Sequence, residues 1–274
     1  MSKIHPLTKI HTIEIFTKTK IDITNMPTHP NILFPFNAEK KYNTVILSYN
    51  VLDNGLTLRE FIHNCKKQPT RFTLRKINLW NPNDIMLQII SACEFMVKNN
   101  LLSPQTNINP NNIWIQYNEE GKMCVYVIYN FENIIEEIQL SHLDERSRNY
   151  WAPEILRKYN HVRFFETPYI EPISKYSSLL TRRNTTPSTL EIVYSLGLIL
   201  YFIVYKEDAF PELRIHEYDW PNFHSINKYN RNIKLAIQPE IRDRLTLTEW
   251  SFVLQIAPKP GIFSRIYNYC YKPT

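Results

Sequence analysis

Residues 11–16, HTIEIF, alternate polar and apolar side chains and are rich in β-branched residues, the pattern of a half-buried strand. A second such stretch, NTVILSYNVL at 43–52, runs into the turn-forming Asp53-Asn54-Gly55 and predicts another strand. Directly after it, LTLREFIHNC at 56–65 changes to helical spacing. The longest amphipathic pattern covers 81–102, NPNDIMLQIISACEFMVKNNLL, with Asn81 or Asn83 placed to cap its start. Short strands follow at 112–117 (NIWIQY) and 123–131 (MCVYVIYNF). At 190–204, LEIVYSLGLILYFIV is apolar nearly all round, which predicts a helix buried on every side. TLTEWSFVLQIA at 246–257 reads as a last helix. Residues 17–30 are polar and interrupted by Pro27 and Pro30, which argues against a long helix there. Residues 158–188 are polar, aromatic and proline-bearing, and read as a long loop or insertion. A small strand-rich N-terminal part followed by a mostly helical body with small strands is an α+β fold.

The length, 274 residues, suits one large domain or two lobes sharing a core. Composition changes this picture at one point. The chain has 4 glycines against 18 prolines, where an average usage of about 7% would give roughly nineteen glycines. Glycine lets a backbone wrap closely round phosphates, so its scarcity argues against a nucleotide cradle. The net charge of +6 comes from scattered Lys and Arg with no dense basic run. That is a solvated basic surface rather than a nucleic-acid site. Cys65, Cys93, Cys124 and Cys270 form no CxxC pair, which fits a reducing, cytoplasmic setting without a disulfide or zinc framework. The first residues, MSKIHPLTKIHTIEIF, contain no signal-peptide apolar core. The apolar run at 190–205 carries Glu191 and Ser195 and is short for a membrane span.

Several stretches, taken in order, carry a family resemblance. They are HPNILFPF (29–36), VILSYNVLDNGLTLREFI (45–62), the helical pattern at 81–102, QTNINPNNIWI (105–115), VIYNFENI (127–134), YWAPEIL (150–156), EIVYSLGLILYFI (191–203) and RDRLTLTEW (242–250). Together they resemble the eukaryotic protein-kinase fold: the link into the N-lobe sheet, the hinge, the long C-lobe helix, the catalytic loop, the DFG region, the APE segment, the next buried helix and the late "RPT" segment. The resemblance runs from Thr12 to about residue 258. It implies a truncated N-lobe at 1–54 and a C-lobe at 55–274 carrying the insertion at 158–188.

Phosphoryl transfer in that family needs a Gly-rich loop, a strand Lys paired with a helix Glu, a catalytic Asp, and a metal-binding Asp and Asn. By the same resemblance, most of these parts are replaced here. The first glycine is Gly55, already past the hinge. HTIEIF matches the lysine-bearing strand and puts Glu14 in the lysine position, facing the phosphates. Lys9 or Lys18 could fill that role only in a register that breaks the strand pattern. No Glu lies between residues 16 and 30 to complete the pair. Asn107 stands in the position of the catalytic Asp, and an amide cannot accept the substrate's proton as a carboxylate does. Thr106 and Asn109 replace the loop's Arg and Lys. Asn130 replaces the metal-binding Asp and is a weak ligand for a hard cation by itself. Glu132 replaces the following Gly; it reads either as a substitute ligand or as a solvated side chain. Asn112 matches the metal-binding Asn, whether kept for metal or for loop packing. The supporting parts persist better: Phe131 keeps an aromatic, Glu154 and Arg244 match a buried ion pair, and Gly197 allows close helix approach. Ile192 takes the position of the Asp that braces the catalytic loop.

The expectation is therefore a catalytically inactive pseudokinase with no nucleotide or metal cofactor. It would work as a protein-interaction module, a scaffold, or an inhibitor or decoy of a kinase or other signalling partner. The insertion at 158–188 and the edge of the truncated N-lobe are its candidate surfaces. Two other readings stand beside it. One is an atypical metal-dependent kinase or nucleotide-binding enzyme using Asn112, Asn130 and Glu132. The other is a peptide-binding module like the lobe-only KIND relatives.

Overall fold

A computed structural model describes residues 8–16, 21–67, 81–102, 108–118, 120–129, 147, 149–156, 189–210, 220–225 and 227–255. In chain order its strands are β1 (Thr8–Phe16), β2 (Ile32–Leu33), β3 (Asn37–Lys41), β4 (Thr44–Leu52), β5 (Leu56–Thr57), β6 (Ile113–Tyr117) and β7 (Met123–Ile128). Its α-helices are α1 (Leu58–Lys67), α2 (Pro82–Lys98), α3 (Thr189–Tyr205), α4 (Asn230–Ala236) and α5 (Leu247–Gln255), with a 3-10 turn at Ile241–Asp243. The architecture is mixed α+β.

The strands form two sheets. In the first, β4 lies between β1 and β3 and is antiparallel to both. Alternation along β4 buries Val45, Leu47, Tyr49 and Val51 on one face. β3, sequence NAEKK, has no apolar alternation to announce it. It forms because the chain doubles back at Tyr42, whose φ of 53° closes the hairpin. The second sheet has the order β2-β7-β6-β5, with β2 parallel to β7 and the other pairs antiparallel. Because β2 comes from residues 32–33, this sheet crosses the boundary expected at 54/55. The HPN turn anchors that crossing. His29 Nδ1 accepts the Asn31 N–H at 3.2 Å, and the Asn31 amide donates to Gln88 Oε1 and to Val125 O at 3.1 and 3.0 Å.

Capping chemistry sets the helix limits. The sequence pattern starts the first helix at 56, but Leu56 and Thr57 pair with Ile115 and Trp114 as β5. Thr57 then caps α1. Its N–H donates to Glu60 Oε2 at 2.9 Å, and its hydroxyl accepts the Glu60 N–H at 3.2 Å. Thr246 and Glu249 make the same reciprocal pair before α5, at 2.8 and 3.3 Å. Asn81 caps α2 by accepting the Asn83 N–H at 3.1 Å, with Pro82 in the first helical position. α2 stops at Lys98 rather than 102 because Asn100 takes a left-handed φ of 55° and the Leu101 N–H turns back to Met96 O at 2.7 Å.

The core lies under these helices. Every residue of α3 from Glu191 to Ile203 is buried, as its all-apolar pattern predicts. A Cβ on Gly197 would come within 2.7 Å of both Ala236 Cβ and Ile237 Cγ2, so the bare glycine lets α3 lie directly on α4. Among the described residues no helix is long and apolar enough to cross a membrane. The insertion at 158–188 lies outside the described residues.

Candidate functional site

The residues to weigh for a ligand are those where side chains of the first sheet meet the second. β1 supplies several of them. Side chains alternate along the strand: Lys9 and His11 turn toward Trp114 of β6, Ile13 on the same face is half-buried, and Ile10, Thr12 and Glu14 are exposed. Glu14, expected to face the phosphates in the lysine position, is instead on the outward face opposite Ile46. The alternation that identifies the strand explains this, because the apolar Ile13 takes the inward register and a carboxylate prefers water.

Rings fill the space beneath β1. The His11 imidazole centroid is 5.1 Å from that of Trp114 and 6.4 Å from that of Tyr49. Lys9 Nζ sits 5.4 Å from the Trp114 ring centroid. Trp114 is only 3% exposed. Its indole lies so close to Gly55 that a Cβ there would fall 2.1 Å from Nε1. Below, Tyr49 spans from the first sheet to the second part of the chain and donates its hydroxyl to Tyr129 O at 2.7 Å. Burial holds the His11 pKa below its usual value, Lys9 adds to this, and Glu60 opposes it. The imidazole is therefore neutral at pH 7 and packs as an aromatic.

The turn at 109–112 is held in part by its own side chains. Asn109 is buried, and its Oδ1 accepts the Asn111 N–H at 2.8 Å. Asn112 Oδ1 accepts the Asn109 N–H at 2.9 Å, and the Asn112 N–H returns to Asn109 O at 3.2 Å. The Asn112 carbonyl oxygen, the atom a metal would need, is thus engaged in closing the turn. Asn107, Asn130, Phe131, Glu132 and Thr106 lie outside the described residues.

Arg244 and Glu154, 90 residues apart in sequence, meet in the body. Two parallel bonds of 2.6 and 2.7 Å join the guanidinium to the carboxylate. The remaining Arg244 donors reach Gln238 O, Leu190 O and Pro239 O at 2.7, 3.2 and 3.1 Å, and the guanidinium carbon lies 4.9 Å from the Tyr194 ring centroid. Arg244 is fully satisfied by this set, which the 3-10 turn and the start of α3 bring together. Ile192 is buried in the α3 core, and Glu191 beside it is buried in the first turn, at the helix end that favours negative charge.

Sequence reasoning missed the His11–Trp114 contact and the part played by Arg59 of α1, which donates from Nε to Asn111 Oδ1 at 2.8 Å and makes an ion pair with Asp208. His11 was findable, since it shares the inward register with Ile13. Arg59 was not, because its partners are dispersed along the chain.

No family model matches this chain. No curated protein matches it either. Among solved structures it is similar to one described as the crystal structure of Rad53 1-466 in complex with AMP-PNP, at 14% identity and a TM-score of 0.49. The match covers 82% of this chain and 50% of that one, so the matched part spans half the length of that solved chain.

Proposed function

We propose that this chain is a kinase-like protein without phosphotransfer activity, acting as a protein-interaction module. The carrying observation is the packing where the two sheets meet. In the kinase resemblance a nucleotide lies between the lobes; His11 against Trp114, with Tyr49 bonded across to Tyr129, supports the reading that the corresponding space is taken up by side chains. A purine would have to displace a buried indole that is packed on Gly55. The strand order β1-β4-β3, the Glu154–Arg244 pair and the close approach at Gly197 support the kinase-like reading. They favour a fuller body over a lobe-only KIND-like module, because the N-terminal sheet is present. The loss of carboxylates at 107 and 130 supports inactivity, since neutral amides replace the base and the metal ligand. An enzymatic role using Asn112 would have to place a metal on an oxygen that already accepts the Asn109 N–H. The partner class we favour is a kinase or other signalling protein, met either through 158–188 or through the outer edge of β1.

A thermal-denaturation titration with ATP and Mg²⁺ or Mn²⁺ tests this. A nucleotide at a hundred times its Kd adds about 2.7 kcal/mol to stability. The expected result is no stabilisation. A metal-dependent rise in melting temperature defeats the proposal.

A further inference from the structure

Arg59 in the first turn of α1 gathers stretches that are far apart in the chain. Its backbone N–H donates to Pro110 O at 3.1 Å, and its Nε donates to Asn111 Oδ1 at 2.8 Å. Its two terminal nitrogens donate to the two carboxylate oxygens of Asp208, just beyond α3, at 2.8 and 2.9 Å. The Tyr150 hydroxyl donates to the same carboxylate at 2.6 Å. Next to it, the Asn149 side-chain amide donates to Phe210 O at 3.0 Å. The guanidinium carbon also lies 5.1 Å from the Phe202 ring centroid on α3.

The group is largely out of water. The Arg59 and Asp208 side chains are 13% and 24% exposed, and Tyr150 is buried. Burial, reinforced by Asp208, holds the Tyr150 pKa well above its usual value, so the phenol stays a donor. A bidentate guanidinium–carboxylate pair fixes distance and direction together. Removing either half takes the counter-charge from the other in a poorly solvated place. From β7 the Ile128 N–H donates to Asn112 O at 2.9 Å, and α1 adds a side-chain hold on the same turn through Arg59.

We propose that the Arg59–Asp208 pair is a common latch: it orders the turn at 109–112 through Arg59 and the stretch at 149–156 through Tyr150, so that losing the pair releases both. This goes beyond the proposed function, because it concerns which parts of the molecule move together and holds whether or not a nucleotide binds. A partner or modification acting on either half of the pair would thereby act on two surfaces at once.

Hydrogen exchange on the full chain reads it out. In Arg59→Met, the amides of Asn111, Asn112, Tyr150, Trp151, Ile155 and Leu156 should exchange at least about tenfold faster, while Ile89 and Ile90 in α2 keep their protection. Asp208→Asn should loosen the same two stretches, and it serves if Arg59→Met does not fold. Tyr150→Phe should release 149–156 and leave 109–112 protected. The latch is refuted if Arg59→Met or Asp208→Asn loosens one stretch without the other or leaves both unchanged. It is equally refuted if exchange rises to the same extent throughout α2.

Discussion

The helical body and the three-stranded sheet of β1, β4 and β3 are held by different means. In the body, α3 is buried over thirteen successive residues from Glu191 to Ile203, and Arg244 beside its start has every donor hydrogen-bonded. The sheet buries one face of β4, while most of β1 and β3 remains in contact with water. Among the described residues, its links to the second sheet include the His11–Trp114 contact, the Tyr49 hydroxyl on Tyr129 O, and the Leu52 N–H on Gln116 Oε1 at 3.2 Å. The difference teaches where change is tolerated. A close-packed interior with a satisfied ion pair resists substitution because every neighbour would have to shift. A half-open sheet tolerates a change of exposed side chain at much lower cost. Under the proposed function, the part of the chain that would grip a nucleotide is the part least constrained by packing.

Substitutions can break this contrast at graded strength. The largest effect is expected in the body: Arg244→Met leaves Glu154 without its partner and should lower the unfolding free energy by about 3–5 kcal/mol in urea denaturation. A loss below about 1 kcal/mol would show that the pair does not organise the body. Next comes Gly197→Ala, whose methyl meets Ala236 and Ile237 at 2.7 Å and should cost about 1–3 kcal/mol. No loss would mean that α3 and α4 can separate freely. In the sheet, Tyr42 is 98% exposed with a left-handed φ of 53°. Tyr42→Gly should raise stability by roughly 1 kcal/mol through relief of backbone strain, and a fall would show that the ring has contacts of its own.

The smallest effect is a pH dependence. Burial lowers the pKa of His11 and of His29 from the usual 6.5. The unfolded chain therefore takes up these protons more readily than the folded one, and stability falls as pH drops below about 6.5 and is unaffected above it. The melting temperature of the wild type should decline between pH 7 and pH 5.5, and His11→Phe should make that decline shallower. Equal declines would remove His11 from the buried contact.

Much of the fold could be read from periodicity. The buried α3 and the amphipathic α2 announce themselves because long helices repeat their pattern many times. The Glu154–Arg244 pairing was legible only through the order of motifs, since no local pattern joins residues 90 positions apart. β3 and α4 were not legible: NAEKK has no alternation, and the seven residues of α4 are too few to set a helical period. The capping boxes at Thr57 and Thr246 could have been read, because each Thr is followed three residues later by Glu. On β1 the residue types at 14 and 11 are plain in the sequence, but which of them turns inward depends on register, which a motif match alone does not set. The Arg59 latch depends on tertiary placement alone.

Calorimetric titration of Mg²⁺–ATP into the wild-type protein tests the central claim most directly, with a His11→Ala/Trp114→Leu variant as the opened control. A crevice occupied by His11 and Trp114 gives no saturable binding heat in the wild type. Saturable, metal-dependent binding to the unaltered chain would contradict it.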